Sequence, residues 1–102
     1  MKLWLDDVRP APKEYDLHVM TAADAIQWLK TGQVDVISLD HDLGDPKIYG
    51  DGYDVARWIE RAAHDGALGR IAWALHTANP VGFFRMRQAL QQAEKYWAQR
   101  GI

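Results

Sequence analysis

The sequence predicts a small α/β domain built on a parallel sheet, and three observations carry that expectation. Apolar periodicity along the 102 residues alternates between two and 3.6, the pattern of strands interleaved with helices. Three short apolar runs end abruptly in polar residues: Leu3-Trp4-Leu5 in Asp6-Asp7, Val36-Ile37-Ser38-Leu39 in Asp40-His41-Asp42, and the run closing at Leu75 in His76-Thr77. The length suits one core and no second domain, so residues 1–102 are read as a single domain.

Taken in order, Lys2 to Leu5 reads as the first strand and Leu17 to Met20 as the second. Pro10 and Pro12 keep the segment between them from being helical throughout. Thr21 is a good helix cap, Ala22, Ala25, Ile26 and Leu29 follow at helical spacing, and Gly32 suits the terminating left-handed position. Val34 to Leu39 is the third strand, and Gly44 to Asp51 a loop that could act as a lid. Val55, Ile59 and Ala62 repeat on a second helix that stops near Gly66. Ile71 to Leu75 is the fourth strand. Asn79-Pro80 is a cap followed by a first helical position, and Phe83, Met86, Leu90, Ala93 and Trp97 form the stripe of a long last helix.

Charge and composition exclude several classes. Fourteen acidic against twelve basic residues leave a net charge of -2, too little for bulk electrostatics to nominate a nucleic-acid or membrane partner. Without cysteine there is no disulfide framework and no thiolate ligand or nucleophile, so a metal would rely on carboxylate and imidazole. Only three apolar residues separate Lys2 from Asp6, far short of a signal peptide or a membrane span. A soluble, cytoplasmic protein is expected.

Parallel strands with helical crossovers bind ligands at their carboxyl ends. That is where Asp6, Asp7, Asp40, His41, Asp42, His76 and Thr77 fall. Neighbouring strands lie about 5 Å apart, so both acid bursts can converge on one crevice, and carboxylates at that density hold a cation or share a proton. The blander reading makes these acids turn caps, but capping takes one aspartate per turn and here they come doubled. Hard oxygen ligands on Asp6, Asp7 and Asp40 favour Mg²⁺ or Mn²⁺. Unperturbed imidazole titrates near neutral pH, so His41 and His76 are candidates for base and acid duties, or simply hydrogen-bond the nearby backbone. Arg9 could clamp a phosphate, as could the free N–H groups of Val81, Gly82 and Phe83. Asn79 reads first as a cap and second as a substrate contact. His18 and His64 read as surface or packing residues, Asp45, Asp51 and Asp54 as loop or first-turn acids, and the five Trp as core.

At these residues the chain resembles a response-regulator receiver domain. The matching pieces are LDDVRP, the TAADAIQWLKTG helix feeding VDVISLD, the helix from Gly52, and LHTA. The resemblance implies that Asp6 and Asp7 bind metal, that Asp40 stands at the phosphoacceptor position, and that the Thr77 hydroxyl contacts a phosphoryl group. Two departures stand out. Val8 to Asp16 replaces a first helix, and the sequence reaches Ile102 without the fifth strand, its lysine and the fifth helix. Histidines beside the acids in LDHDLGD and LHTANPVG make the chain similar to the short, His-bearing cyclic-phosphate processing receiver domains.

That likeness implies a reduced flavodoxin-like fold with about four strands in order 2-1-3-4. It also implies a phosphate-processing site acting on a phosphate-containing small molecule or an RNA end. Water activated by a bound metal, or attack by Asp40 itself, are both open routes. A phosphoacceptor without turnover and a pure interaction module are the alternatives. With right-handed crossovers, three helices cover one face of such a sheet. Leu3, Leu5, Leu17, Val19, Ile37, Leu39, Ile71, Trp73 and Leu75 would face them. Lys2, Trp4, His18, Met20, Val36, Ser38, Ala72 and Ala74 would form the other, mixed face, which the 8–16 segment could partly cover and a homodimer could bury.

Overall fold

The computed structural model describes residues Met1 to Ile102. Strands β1 (Lys2–Leu5), β2 (Leu17–Val19), β3 (Val36–Leu39) and β4 (Ala72–Leu75) form one parallel sheet in the order β2-β1-β3-β4, as expected. Met20, Val34 and Ile71 fall just outside the strands assigned to them, although Val34 and Ile71 are buried. Three long helices, α1 (Ala22–Lys30), α3 (Gly52–Asp65) and α4 (Pro80–Gln99), follow β2, β3 and β4. The predicted loop from Gly44 to Asp51 contains one more helix, α2 (Pro46–Tyr49), four residues long. No helix is long and apolar enough to cross a membrane.

Each helix starts on an oxygen side chain. Thr21 accepts from Asp24 N at 3.1 Å, Asp45 from Lys47 N at 2.9 Å and Asn79 from Gly82 N at 3.0 Å. Asp51 and Asp54 form a reciprocal capping box at the start of α3. Helices α1, α3 and α4 pack side by side over Leu3, Leu5, Ile37 and Leu39, none of which reaches solvent. Burial of a side chain of this kind contributes roughly 1.5–3 kcal/mol, so Leu5 and Leu39 anchor their strands one residue before Asp6 and Asp40. Trp97 is also fully buried, its indole N–H donating to the Leu68 carbonyl at 2.8 Å.

The connection from β1 to β2 runs opposite in direction to the others, so right-handedness sends it over the other face of the sheet. Tyr15 from this segment meets the Trp4 ring edge-on, with centroids 5.2 Å apart. Of the two covers expected for Trp4, the 8–16 segment is the one seen, and Trp4 is only 8% exposed. What that face still offers to solvent lies at its margins, Ala72 and Ala74 on the β4 edge and His18 on the β2 edge.

Candidate functional site

Sheet hydrogen bonding carries on one residue beyond the strands. Asp6 N donates to Val19 O at 3.1 Å, Asp40 N to Leu5 O at 3.0 Å and His76 N to Leu39 O at 3.0 Å. Asp6, Asp40 and His76 therefore continue the row of Trp4, Ser38 and Ala74, because side chains alternate along a strand. One carboxylate oxygen from each of Asp6, Asp7 and Asp40 lies within 4.8 Å of the others.

Asp6 is fully buried and fully engaged. Its Oδ1 accepts from the amides of Val8 and Arg9, both at 2.8 Å, which bends the chain sharply after β1. Its Oδ2 accepts from His76 Nε2 at 3.0 Å. Burial alone would raise the Asp6 pKa, but the Val8 and Arg9 amides and His76 outweigh it and hold the carboxyl below 3.8. Asp40 Oδ1 accepts from the His41 amide at 2.8 Å.

His76 has no free ring nitrogen. Nδ1 meets Ser38 Oγ at 2.7 Å and Nε2 meets Asp6, while the ring stacks on Trp4 at 3.7 Å and 8°. Burial pushes its pKa below 6.5 against the pull of Asp6, so the neutral ring donates from Nε2 and accepts the Ser38 hydroxyl proton at Nδ1. Its carbonyl accepts from Arg9 Nη1 at 2.9 Å, and the Arg9 carbonyl accepts from Trp4 Nε1 at 3.1 Å. His18 Nε2 donates to the Asp6 carbonyl at 2.8 Å. Trp4, Ser38 and His18 thus form the outer support of the carboxylates.

His41 belongs to a second group, joined to the first through Asp40. Its Nδ1 donates to Asp42 Oδ1 at 2.9 Å. Nε2 is buried without a hydrogen-bond partner, and Asp51 Oδ2 stands 3.8 Å away. Two glycines let helices come this close. A Cβ on Gly82 would lie 2.4 Å from His41 Cγ, and one on Gly52 would lie 2.0 Å from the Asp40 carbonyl oxygen. Asn79 joins the group through a long contact from Nδ2 to Asp42 Oδ2, 3.4 Å. Its backbone amide donates to Thr77 Oγ1 at 3.1 Å.

The chain belongs to the cyclic-phosphate processing receiver domain family: the family's model matches residues 1–92. No curated protein and no solved structure matches it. As a receiver-like domain associated with cyclic-phosphate processing, it keeps the acidic residues at the sheet edge and surrounds them with histidines. One expectation about this receiver site changes and another narrows. The Gly82 N–H is taken by Asn79 Oδ1 and the Phe83 N–H by the Asn79 carbonyl at 2.9 Å, so the expected phosphate cradle is largely capped from within. His76, expected either to trade protons or simply to hydrogen-bond its surroundings, is bound at both nitrogens. Sequence reasoning put Ser38 on the mixed sheet face, His18 among surface or packing residues and Asp51 among loop or first-turn acids, and so placed none of them at the site. Ser38 alone left a signal, being the one polar residue in its strand and two positions before Asp40.

Proposed function

We propose that this domain hydrolyses a phosphoester, a cyclic phosphate or a phosphorylated RNA end, with one Mg²⁺ or Mn²⁺ held by Asp6, Asp7 and Asp40. The observation that carries the reading is the convergence of those three carboxylates. The donor set fits a hard divalent cation: oxygens only, close enough to share one ion, with Asp6 fixed by three hydrogen bonds. Such a cation, when bound, offsets phosphate charge and acidifies water.

The chain's own residues then divide the remaining work. His41 is the base. With its Nδ1–H given to Asp42, the lone pair sits on Nε2, which is buried beside Asp51 in the free protein, so the ring turns outward to take a proton from attacking water as the new P–O bond forms. In a cyclic phosphate one ring P–O bond breaks, and the proton returns to the released alkoxide. Asp42 orients His41, and Asn79 steadies Asp42. Thr77 Oγ1 accepts from Asn79 N, so its own O–H is left to donate to a phosphoryl oxygen. Arg9 spends one guanidinium N–H on His76 and has the rest for phosphate. His76 positions Asp6 rather than exchanging protons.

The test is a panel of cyclic and linear phosphoesters, nucleotide and non-nucleotide, assayed with Mg²⁺ and with Mn²⁺, beside calorimetric titration of each metal. Turnover that needs the metal supports the reading. Absence of binding at millimolar metal by a folded protein would sink it. Protein-bound phosphate that accumulates and is cleaved by hydroxylamine would make Asp40 a nucleophile or phosphoacceptor.

A further inference from the structure

Exposed large apolar side chains follow the carboxyl ends of three strands, Val8 after β1, Ile48 and Tyr49 after β3, and Val81, Phe83 and Phe84 after β4. Exposed apolar surface beside a polar crevice marks a place where something apolar docks. For Tyr49 the distance to the acids is bounded by contact. Its Cδ2 and Asp7 Oδ2 lie 3.2 and 3.9 Å from one point, the position of a Cβ on Gly44, so the ring is no more than about 7 Å from that carboxylate. The residue is nevertheless 43% exposed.

The short helix that carries Tyr49 is tightly fixed. Asp45 caps α2, Pro46 presets its first turn, and Gly44 and Gly50 flank it with φ of +90° and +69°, a left-handed backbone that other residues resist. Gly50 also sits so close to Ala22 and Asp54 that a Cβ would be 2.9 Å from each. None of α2 is buried, so it adds nothing to the core. A capped, solvent-facing helix that holds an aromatic ring beside the carboxylates has the build of a recognition element.

We propose that Tyr49 is a stacking platform for the nucleobase of the substrate, so that the site takes a base-bearing cyclic phosphate. This rests on the phosphate-processing reading above and narrows it. An aromatic face accepts any base, and a ring no more than about 7 Å from the Asp7 carboxylate is near enough to meet a base joined to the phosphate through one ribose. The same chemistry is presented by a free nucleotide and by the end of an RNA.

The test compares three ligands by titration in Mg²⁺: cytidine 2′,3′-cyclic phosphate, glycerol 1,2-cyclic phosphate, and a trinucleotide ending in a 2′,3′-cyclic phosphate. Wild-type protein should bind the cytidine ligand about tenfold more tightly than the glycerol one. Tyr49→Phe should keep that preference, and Tyr49→Ser should collapse the ratio towards one while circular dichroism stays native. Gly44→Ala, which pushes on the ring, should reduce the ratio as well. Tighter binding of the trinucleotide assigns the platform to RNA ends, and equal binding assigns it to free nucleotides. Wild-type protein that binds the cytidine and glycerol ligands equally, or a folded Tyr49→Ser that keeps the preference, overturns the platform and leaves the phosphate site standing. Failure to bind any of the three overturns both.

Discussion

Gly82→Ala isolates the role of α4 in holding the His41 ring. An alanine Cβ would sit 2.4 Å from Cγ and 2.5 Å from Cδ2, so ring and methyl cannot occupy their present places together. Two opposing effects on stability follow. Gly82 lies within a helix and its φ is not positive, so alanine gains about 1 kcal/mol of helix propensity. Forcing a methyl into filled space costs about 1–3 kcal/mol, the lower end if the ring swings aside towards solvent. The net change in folding stability is then small, a loss of about 0–2 kcal/mol. The effect on the site does not cancel in this way. A displaced ring loses the bond to Asp42 that orients it, so the rate should fall on the order of 10²-fold, as for His41→Ala. Chemical denaturation, turnover of the best substrate on the panel, and imidazole nitrogen shifts by NMR read the three consequences. A variant with the wild-type rate and shifts, stabilised by the full helix gain, would show that His41 does not depend on α4.

Asp40→Asn should abolish divalent-cation binding in calorimetry while leaving the metal-free fold as stable or slightly more so, since it relieves repulsion among crowded carboxylates; loss of folding would make Asp40 structural. Ser38→Ala removes the donor to His76 Nδ1 and should cost about 1–3 kcal/mol in denaturant unfolding, because that nitrogen stays out of water; an unchanged midpoint would mean the ring has another partner. Acid should weaken the metal-free protein in two stages. Burial keeps His76 below 6.5, so the unfolded chain takes up a proton that the folded one refuses, and stability that is whole above that value is lost as pH falls towards the folded pKa. Asp6, whose amide and His76 hydrogen bonds overcome its burial, contributes stability above 3.8 that is lost as pH falls through its lower folded value. Denaturation midpoints that rise between about pH 7 and about pH 5 would contradict the first stage.

The strand order, the three long helices and the acid edge were legible because each rests on a long pattern or a doubled residue. The Asp45-Pro46 pair that opens α2 is the same signal as Asn79-Pro80, yet four residues show no helical period, so only the loop was visible. The pairing of His41 with Asp42 follows from adjacency. Its approach to Asp51 and Gly82 does not, since it depends on where two helices begin after long stretches of chain. His76 shows the same limit in another form. Its place at a strand end was readable, but its fate at both nitrogens was set by Ser38 on the neighbouring strand and Asp6 seventy residues away, and imidazole chemistry alone favours a proton carrier. The cover over Trp4 was foreshadowed by the handedness rule, since a β1 to β2 connection in this order must cross the other face.

Pleating explains why one edge carries two different groups. Asp6, Asp40 and His76 fall in the row of Trp4, and the β1–β2 connection that covers this face brings Arg9 onto the His76 carbonyl. His41 has the opposite parity and turns towards the helices, where it meets the start of α3 at Asp51 and the start of α4 at Gly82. Asp7 contributes to the carboxylate cluster because Asp6, by accepting the Val8 and Arg9 amides, ends the regular strand at that point. The division depends on register. Shifting β3 by a single residue would exchange Asp40 for His41 in the row beside Asp6, leaving an imidazole within the carboxylate cluster and a carboxylate against Gly82. The burial of Ile37 and Leu39 against the helices, and of Ser38 against His76, opposes that shift on both faces of the strand. The residues that build the core on one side and the polar support on the other therefore also decide which side chain joins the carboxylate cluster and which meets the helices.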